Sequence, residues 1–206
     1  MNYDFKSQHG QDEYIIKLLN NKQNGIFVDV GAAHPTKLSN TYIMESELGW
    51  TGLLIEADEY FLSQLRQYRT STVIEALVFN TNTILEYEYI YEPTEGFGNH
   101  IRNLGLNHGS AYKLIKTARK STTTLQQILD SNDMPEIIDY MSLDIEGVEL
   151  QALKSINLEQ YRFRTMTIEN NQGTSDIINY LTPYGYKLQH TFCSGYELVI
   201  VHKDLI

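Results

Sequence analysis

Residues Ile26–Pro35 read IFVDVGAAHP: an apolar run, Ile26–Gly31, that ends in glycine and opens into a loop. A short apolar run closed by Gly is the pattern of a strand covered on both faces. Similar runs recur at Gly52–Glu56, Thr72–Phe79, Ile137–Leu143 and Phe163–Ile168. Between them lie segments with helical spacing. Asn40–Leu48 has Ser39 as its expected N-cap, and Glu59–Tyr68 is capped by Asp58. Thr122–Asp130, Val148–Ser155 and Ser175–Leu181 complete the helical set. Strands that alternate with helices predict a mostly parallel sheet with helices on both faces. Tyr186–Thr191 and Glu197–Val201 are separated only by a turn at Ser194–Gly195, too short for a crossover, so they predict an antiparallel edge hairpin. Leu85–Tyr91, LEYEYIY, alternates with period two and reads as a half-exposed strand. Glu92–Ser121 carries weak periodicity and is expected to be an acceptor-binding loop or lid within a single domain spanning residues 1–206.

The chain has 206 residues and a formal charge of −10, with no Lys/Arg run longer than two, which argues against nucleic acid and against anionic membranes as partners. An apolar fraction of 42% excludes wholesale disorder. The single cysteine, Cys193, excludes an internal disulfide framework and a multi-cysteine zinc site. The N-terminus lacks the apolar core of a signal peptide, and no segment is apolar enough to span a bilayer, so the expected location is cytoplasmic.

In open α/β sheets, ligands bind outside the carboxyl ends of the strands. The expected strand ends bring Asp29, Glu56, Asp144, Glu146 and Glu169 to one rim. Like charges gathered there need a counterpart. The loop after the first strand has only Gly31 where a pyrophosphate site needs several glycines. That disfavours a nicotinamide dinucleotide oxidoreductase. Glu56 is placed to accept from both ribose hydroxyls. A nucleoside without phosphates that carries positive charge matches S-adenosylmethionine.

Several blocks carry a family resemblance: SQHGQDEYI at Ser7–Ile15, FVDVGAAHP at Phe27–Pro35, SNTYIMESELGWTGLLIEAD at Ser39–Asp58, TTTLQQIL at Thr122–Leu129, DYMSLDIEGVELQALKSINL at Asp139–Leu158 and TMTIENN at Thr165–Asn171. Together they resemble the FkbM-type methyltransferases, a branch of the class I, Rossmann-like, S-adenosylmethionine-dependent enzymes. The resemblance implies a seven-stranded, mostly parallel sheet. It implies that Asp29 and Gly31 border the methionine part of the cofactor and that Ser39 and Asn40 reach its carboxylate. It assigns Glu56 to the ribose, Ala57 to the nucleoside, Glu75 and Ala76 to the adenine edge, and Gln11 to an amino-terminal block closing over the cofactor.

An aliphatic hydroxyl needs a base or a metal to become a nucleophile. Asp144 with Glu169 and Asn170 is similar to the cation site of catechol-type O-methyltransferases, and the donor types suit Mg2+ or Mn2+. This chain has Glu where that pattern has Asp, and no Lys follows Asp144 within the motif. The other reading is that Asp144 and Glu146 cap the next helix and bond the substrate directly. His108 is the favoured histidine base, ahead of His100 and His190, while His34 is expected to be held by its own loop. The resulting expectation is an O-methyltransferase acting on a hydroxyl of a sugar or glycan. A polyketide-type natural-product O-methyltransferase and a non-catalytic nucleoside-binding module stay open; the acids at Asp144, Glu146 and Glu169 argue against the latter. The acceptor and the oligomeric state stay open.

Overall fold

In the computed structural model, Ile26–Val30 forms β1 at the centre of a seven-stranded sheet. The structure describes residues 3–91, 99–104, 113–171 and 174–206. Along the chain follow α1 (Gln11–Leu18, ahead of β1), α2 (Tyr42–Leu48), β2 (Thr51–Glu56), α3 (Glu59–Tyr68), β3 (Thr72–Glu75) and β4 (Leu77–Val78). Then come β5 (Ile84–Tyr91), β6 (His100–Ile101), β7 (Lys113–Thr123), α4 (Leu125–Ser131), β8 (Ile137–Leu143) and α5 (Glu149–Leu153). The chain continues through β9 (Arg162–Glu169), α6 (Thr174–Leu181), β10 (Tyr186–Phe192) and β11 (Glu197–His202).

The large sheet has the order β10-β11-β9-β8-β1-β2-β3. β1 pairs parallel with β2 and β8, and β11 runs antiparallel between β9 and β10. The order reverses between β1 and β8, and a crevice opens there at the carboxyl ends. Period two along β1 sorts its side chains. Val28 and Val30 join Leu53 and Ile55 beneath the helices α4, α5 and α6. Phe27 joins Leu54 and Tyr140 beneath α1 and α2 and Leu65 of α3. Both faces are therefore covered, as the alternating pattern requires.

Three local expectations are corrected. Ser39 does not cap α2: the N-cap is Thr41, without a side-chain capping bond, because its hydroxyl is committed to Asp29. The single strand expected at Thr72–Phe79 is two. β3 ends at Glu75, and Leu77–Val78 pair with Thr122–Thr123 in a second sheet of order β4-β7-β5-β6. The end of the stretch expected to be a loop, Lys113–Ser121, is strand β7, antiparallel to β5. Most of β7 is exposed, so no burial imposed an apolar alternation on its sequence. Its last two residues, Thr122 and Thr123, lie where a helix was expected. α4 starts at Leu125 behind a capping box formed by Thr124 and Gln127. Among the described residues no helix is long and apolar enough to cross a membrane.

Candidate active site

A cavity of about 620 Å³ opens at the carboxyl ends of β1, β2, β8 and β9. Asp29, Gly31, Ser39 and Asn40 line one part, Glu56, Ala57 and Ala76 a second, and Asp144, Glu146 and Glu169 a third. Gly31 has φ +83°, and a Cβ there would lie 1.8 Å from the Asp144 carbonyl oxygen. The loop after β1 thus packs directly on the end of β8, which a side chain would prevent.

Asp29 is buried, and its Oδ2 accepts from Thr41 Oγ1 at 2.6 Å. Thr41 Oγ1 accepts in turn from Arg69 Nη2 at 3.1 Å. Arg69 also pairs with Glu45 through Nε at 3.1 Å, and its Nη1 donates to the Pro35 carbonyl and to Ser39 Oγ. Burial raises the Asp29 pKa, opposed by the Thr41 bond and the Arg69 charge. Asn40 Nδ2 donates to Ser142 Oγ at 2.9 Å, which leaves Oδ1 buried without a partner. Glu56 accepts three backbone N–H bonds, from Ala33 at 2.9 Å, Ala57 at 2.7 Å and Asp58 at 2.8 Å. Burial still raises its pKa against those bonds.

Two residues expected on the cofactor side stand elsewhere. Glu75 is exposed and faces Arg66 at 3.6 Å, because β3 turns that side chain away from the cavity that Ala76 lines. Gln11 is buried at the start of α1, where Oε1 accepts from the His9 N–H and the amide bonds Glu197. From the amino-terminal block it is Gln8 that lines the cavity. That block is ordered around buried Asp12, which accepts from the Lys6 N–H and from Ser7 Oγ.

Carboxylate oxygens of Asp144, Glu146 and Glu169 lie within 4.8 Å of one another. Burial raises all three pKa values, with Glu146 pushed up to about 8 by burial and by Asp144. Burial leads the rise at Glu169, and the Asp144 charge adds to it. Asn170, expected beside them as a metal ligand, turns its Nδ2 to the Gly195 carbonyl at 2.9 Å, because it pins the β10–β11 turn. Asn171 lines the cavity in its place. Neither Asp144 nor Glu146 caps α5, whose N-cap residue is Val148.

Two acids unassigned in the sequence reading enlarge the cluster. Glu149 Oε1 accepts from the Ile145 and Gly147 N–H groups at 3.1 and 2.9 Å, and burial pushes its pKa up to about 7. It thereby holds a loop in which Glu146 has φ +59°. Glu197 pairs in register with Glu169, and burial with the Asp144 charge pushes its pKa up to about 8. Thr41 and Arg69 were also unassigned. Tyr87 lines the cavity from the second sheet.

The histidines separate. His34 Nδ1 accepts from the Thr36 and Lys37 N–H groups, as expected for a residue held by its loop. His100 lines the cavity and faces Glu88 at 3.2 Å. His190 stacks on Tyr14 at 4.7 Å, away from the cavity, because β10 is the edge strand under α1. His108 lies outside the described residues.

The methyltransferase domain of METTL16 is similar in fold, with a TM-score of 0.51 and 12% identity over 91% of this chain and 64% of that one. This chain therefore spans less than two thirds of that structure's length. The N-terminal domain of human METTL16 in complex with SAH gives a TM-score of 0.48 at 11% identity, covering 92% of this chain and 66% of that one. Precorrin-6y C5,15-methyltransferase from Geobacter metallireducens gives 0.44 at 12% identity, covering 92% and 85%. No curated protein matches the sequence significantly. The model of the methyltransferase FkbM domain matches residues 29–188, from the aspartate of β1 to the edge strand β10. The chain therefore belongs to the FkbM family of S-adenosylmethionine-dependent methyltransferases.

Proposed function

We propose that the chain methylates a hydroxyl of a sugar or glycan, with a divalent cation, Mg2+ or Mn2+, assisting. The observation that supports this most is the convergence of Asp144, Glu146 and Glu169 on the cavity wall. Three oxygens within 4.8 Å are close enough to share one hard cation, and carboxylate oxygen is the donor that Mg2+ and Mn2+ prefer. Glu169 Oε2, buried without a partner, fits such a ligand. A cation held there would lower the pKa of an acceptor hydroxyl. The same carboxylates can take the hydroxyl proton directly. The exposed Tyr196, on the cavity lining, offers a ring face to a sugar.

The cofactor half fits as well. S-adenosylmethionine supplies a methyl group on a sulfonium when bound. Glu56 uses three of about four acceptor positions on backbone N–H groups, so the remaining one is available to a single ribose hydroxyl and not to both, as the sequence had suggested. The unpartnered Asn40 Oδ1, beside Asp29, suits the ammonium of the amino acid. Arg69, behind Ser39 and Thr41, holds the loop that would meet its carboxylate.

The test is methyl transfer from radiolabelled S-adenosylmethionine to a panel of methyl glycosides, oligosaccharides, phenols and amines. The assay is run with EDTA and after adding back Mn2+ or Mg2+. An O-methyl product from a glycoside, lost on chelation and restored by metal, is expected. Transfer only to amines or phenols overturns the acceptor class, and full activity after rigorous chelation removes the metal.

A further inference from the structure

The turn Ala57-Asp58-Glu59, between β2 and α3, is tied to the second sheet at each of its residues. Lys120 of β7 donates from Nζ to the Ala57 carbonyl at 2.5 Å and to Glu59 Oε1 at 2.8 Å. The Tyr89 hydroxyl of β5 donates to Glu59 Oε2 at 2.9 Å. Asn99 Nδ2 donates to Asp58 Oδ2 at 2.7 Å, while its Oδ1 accepts from the Ile90 N–H. The Lys120 ammonium lies over the Tyr87–Tyr89 pair, 5.6 Å from each ring centroid. It is only 15% exposed.

One of these bonds reaches the cavity. The Ala57 carbonyl and the Asp58 N–H belong to the same peptide group. Its oxygen accepts from Lys120, and its N–H donates to Glu56 Oε1 at 2.8 Å. A single peptide thus stands in line between an ammonium and a buried carboxylate. Bonds in series of this kind polarise one another in a low-dielectric setting. A simple surface latch needs only the Lys120–Glu59 pair, which is worth little by itself. The second bond, to Ala57, is the shorter of the two and acts on the acid that faces the nucleoside position.

We infer that Lys120 is a positioning residue for the nucleoside half of the cofactor: through the Ala57–Asp58 peptide it holds the Glu56 carboxylate in place. The second sheet, which contributes Tyr87 to the cavity, thereby also sets cofactor affinity. This inference rests on the reading of Glu56 as the ribose acid.

The experiment is isothermal titration of the full chain with two probes, S-adenosylhomocysteine and 5′-methylthioadenosine, alongside thermal melts. The second probe has the nucleoside but no amino acid. Lys120→Met is expected to weaken both probes by about tenfold. Glu59→Gln, which keeps the Lys120–Ala57 bond, is expected to weaken them less than about threefold while lowering the melting temperature comparably. Lys116→Met removes the neighbouring ammonium, 4.0 Å over Tyr89, and is expected to leave both affinities unchanged. If Lys120→Met does not fold, Lys120→Gln, a neutral donor on a shorter stem, is expected to shift both affinities in the same direction. Wild-type affinity in the folded Lys120 variants, with only a lower melting temperature, overturns the inference. Loss confined to S-adenosylhomocysteine also overturns it. A Glu56→Gln variant that binds both probes as tightly as wild type instead overturns the ribose reading beneath it.

Discussion

Thr41 Oγ1 lies 2.6 Å from Asp29 Oδ2 and is at the same time the acceptor for the buried Arg69 guanidinium. One hydroxyl therefore carries a positive charge's influence to the aspartate that lines the cavity beside Ser39 and Asn40. A hydrogen bond to a charged group is worth about 1.5–3 kcal/mol. Thr41→Val keeps the shape and removes both bonds. Affinity for S-adenosylhomocysteine should fall roughly 10- to 100-fold by titration calorimetry. Affinity for 5′-methylthioadenosine should not change. Equal losses for the two probes would show that Asp29 does not act on the amino-acid half.

Arg69 answers a stability question. Its side chain and that of Glu45 are both buried, and removing one partner leaves the other charge uncompensated. Such losses cost about 3–5 kcal/mol. For a chain of this size that is a fall of roughly 6–20 °C in melting temperature for Arg69→Met. The double variant Arg69→Met/Glu45→Met should recover part of the loss. A single variant that melts with wild type would mean that Glu45 is solvated.

Gly31→Ala should fail for a packing reason, independent of any ligand. The new Cβ would stand 1.8 Å from the Asp144 carbonyl, on a residue with φ +83°. Left-handed strain and overpacking together cost about 2–5 kcal/mol. The expected outcome is a lower urea midpoint even without cofactor. A wild-type midpoint with lost binding would assign Gly31 to the ligand alone.

The acid cluster sets a pH dependence for the metal-free chain. Glu146 and Glu197 are pushed up to about 8 and Glu149 to about 7, from an ordinary value of 4.5. Between those limits the folded chain keeps protons that the unfolded chain has released. Stability must then fall as pH rises through this window. Thermal melts at pH 5.5, 7.0 and 8.5 in EDTA should show a steady decline, and Glu197→Gln should flatten it. Added Mn2+ should raise the melting temperature more at pH 8.5 than at pH 5.5, because the cation competes with protons for the same oxygens. A melting temperature that rises with pH in EDTA would contradict the burial of these acids.

The parallel core was legible because its central strands, such as β1 and β8, are covered on both faces, which forces short apolar runs such as Ile137–Leu143 to stand out. Asp58 as the cap of α3 was legible because a cap is a local bond, here to the Tyr60 N–H at 2.9 Å. Ser39 as the cap of α2 was not. Ser39 and Thr41 are both good capping residues, and Arg69 and Asp29, distant in sequence, decide where their hydroxyls go. β7 escaped notice because most of its residues remain in water, so its strand character comes from pairing with β5 rather than from composition.

The sequence by itself determined the alternation of elements, the cofactor class and the acids at the ends of β1, β2, β8 and β9, since each depends on local pattern and on the direction of the chain. Only the tertiary structure decided which further groups meet them. Glu197 reaches the cluster because β11 inserts antiparallel beside β9 and pairs it with Glu169. Lys120 reaches the Ala57 peptide because the second sheet folds over the β2–α3 turn. Glu75 leaves the site because β3 turns it outward. Each of these placements depends on strand pairing or packing between distant segments, and burial in the assembled fold then shifts the charges of Glu146, Glu149 and Glu197.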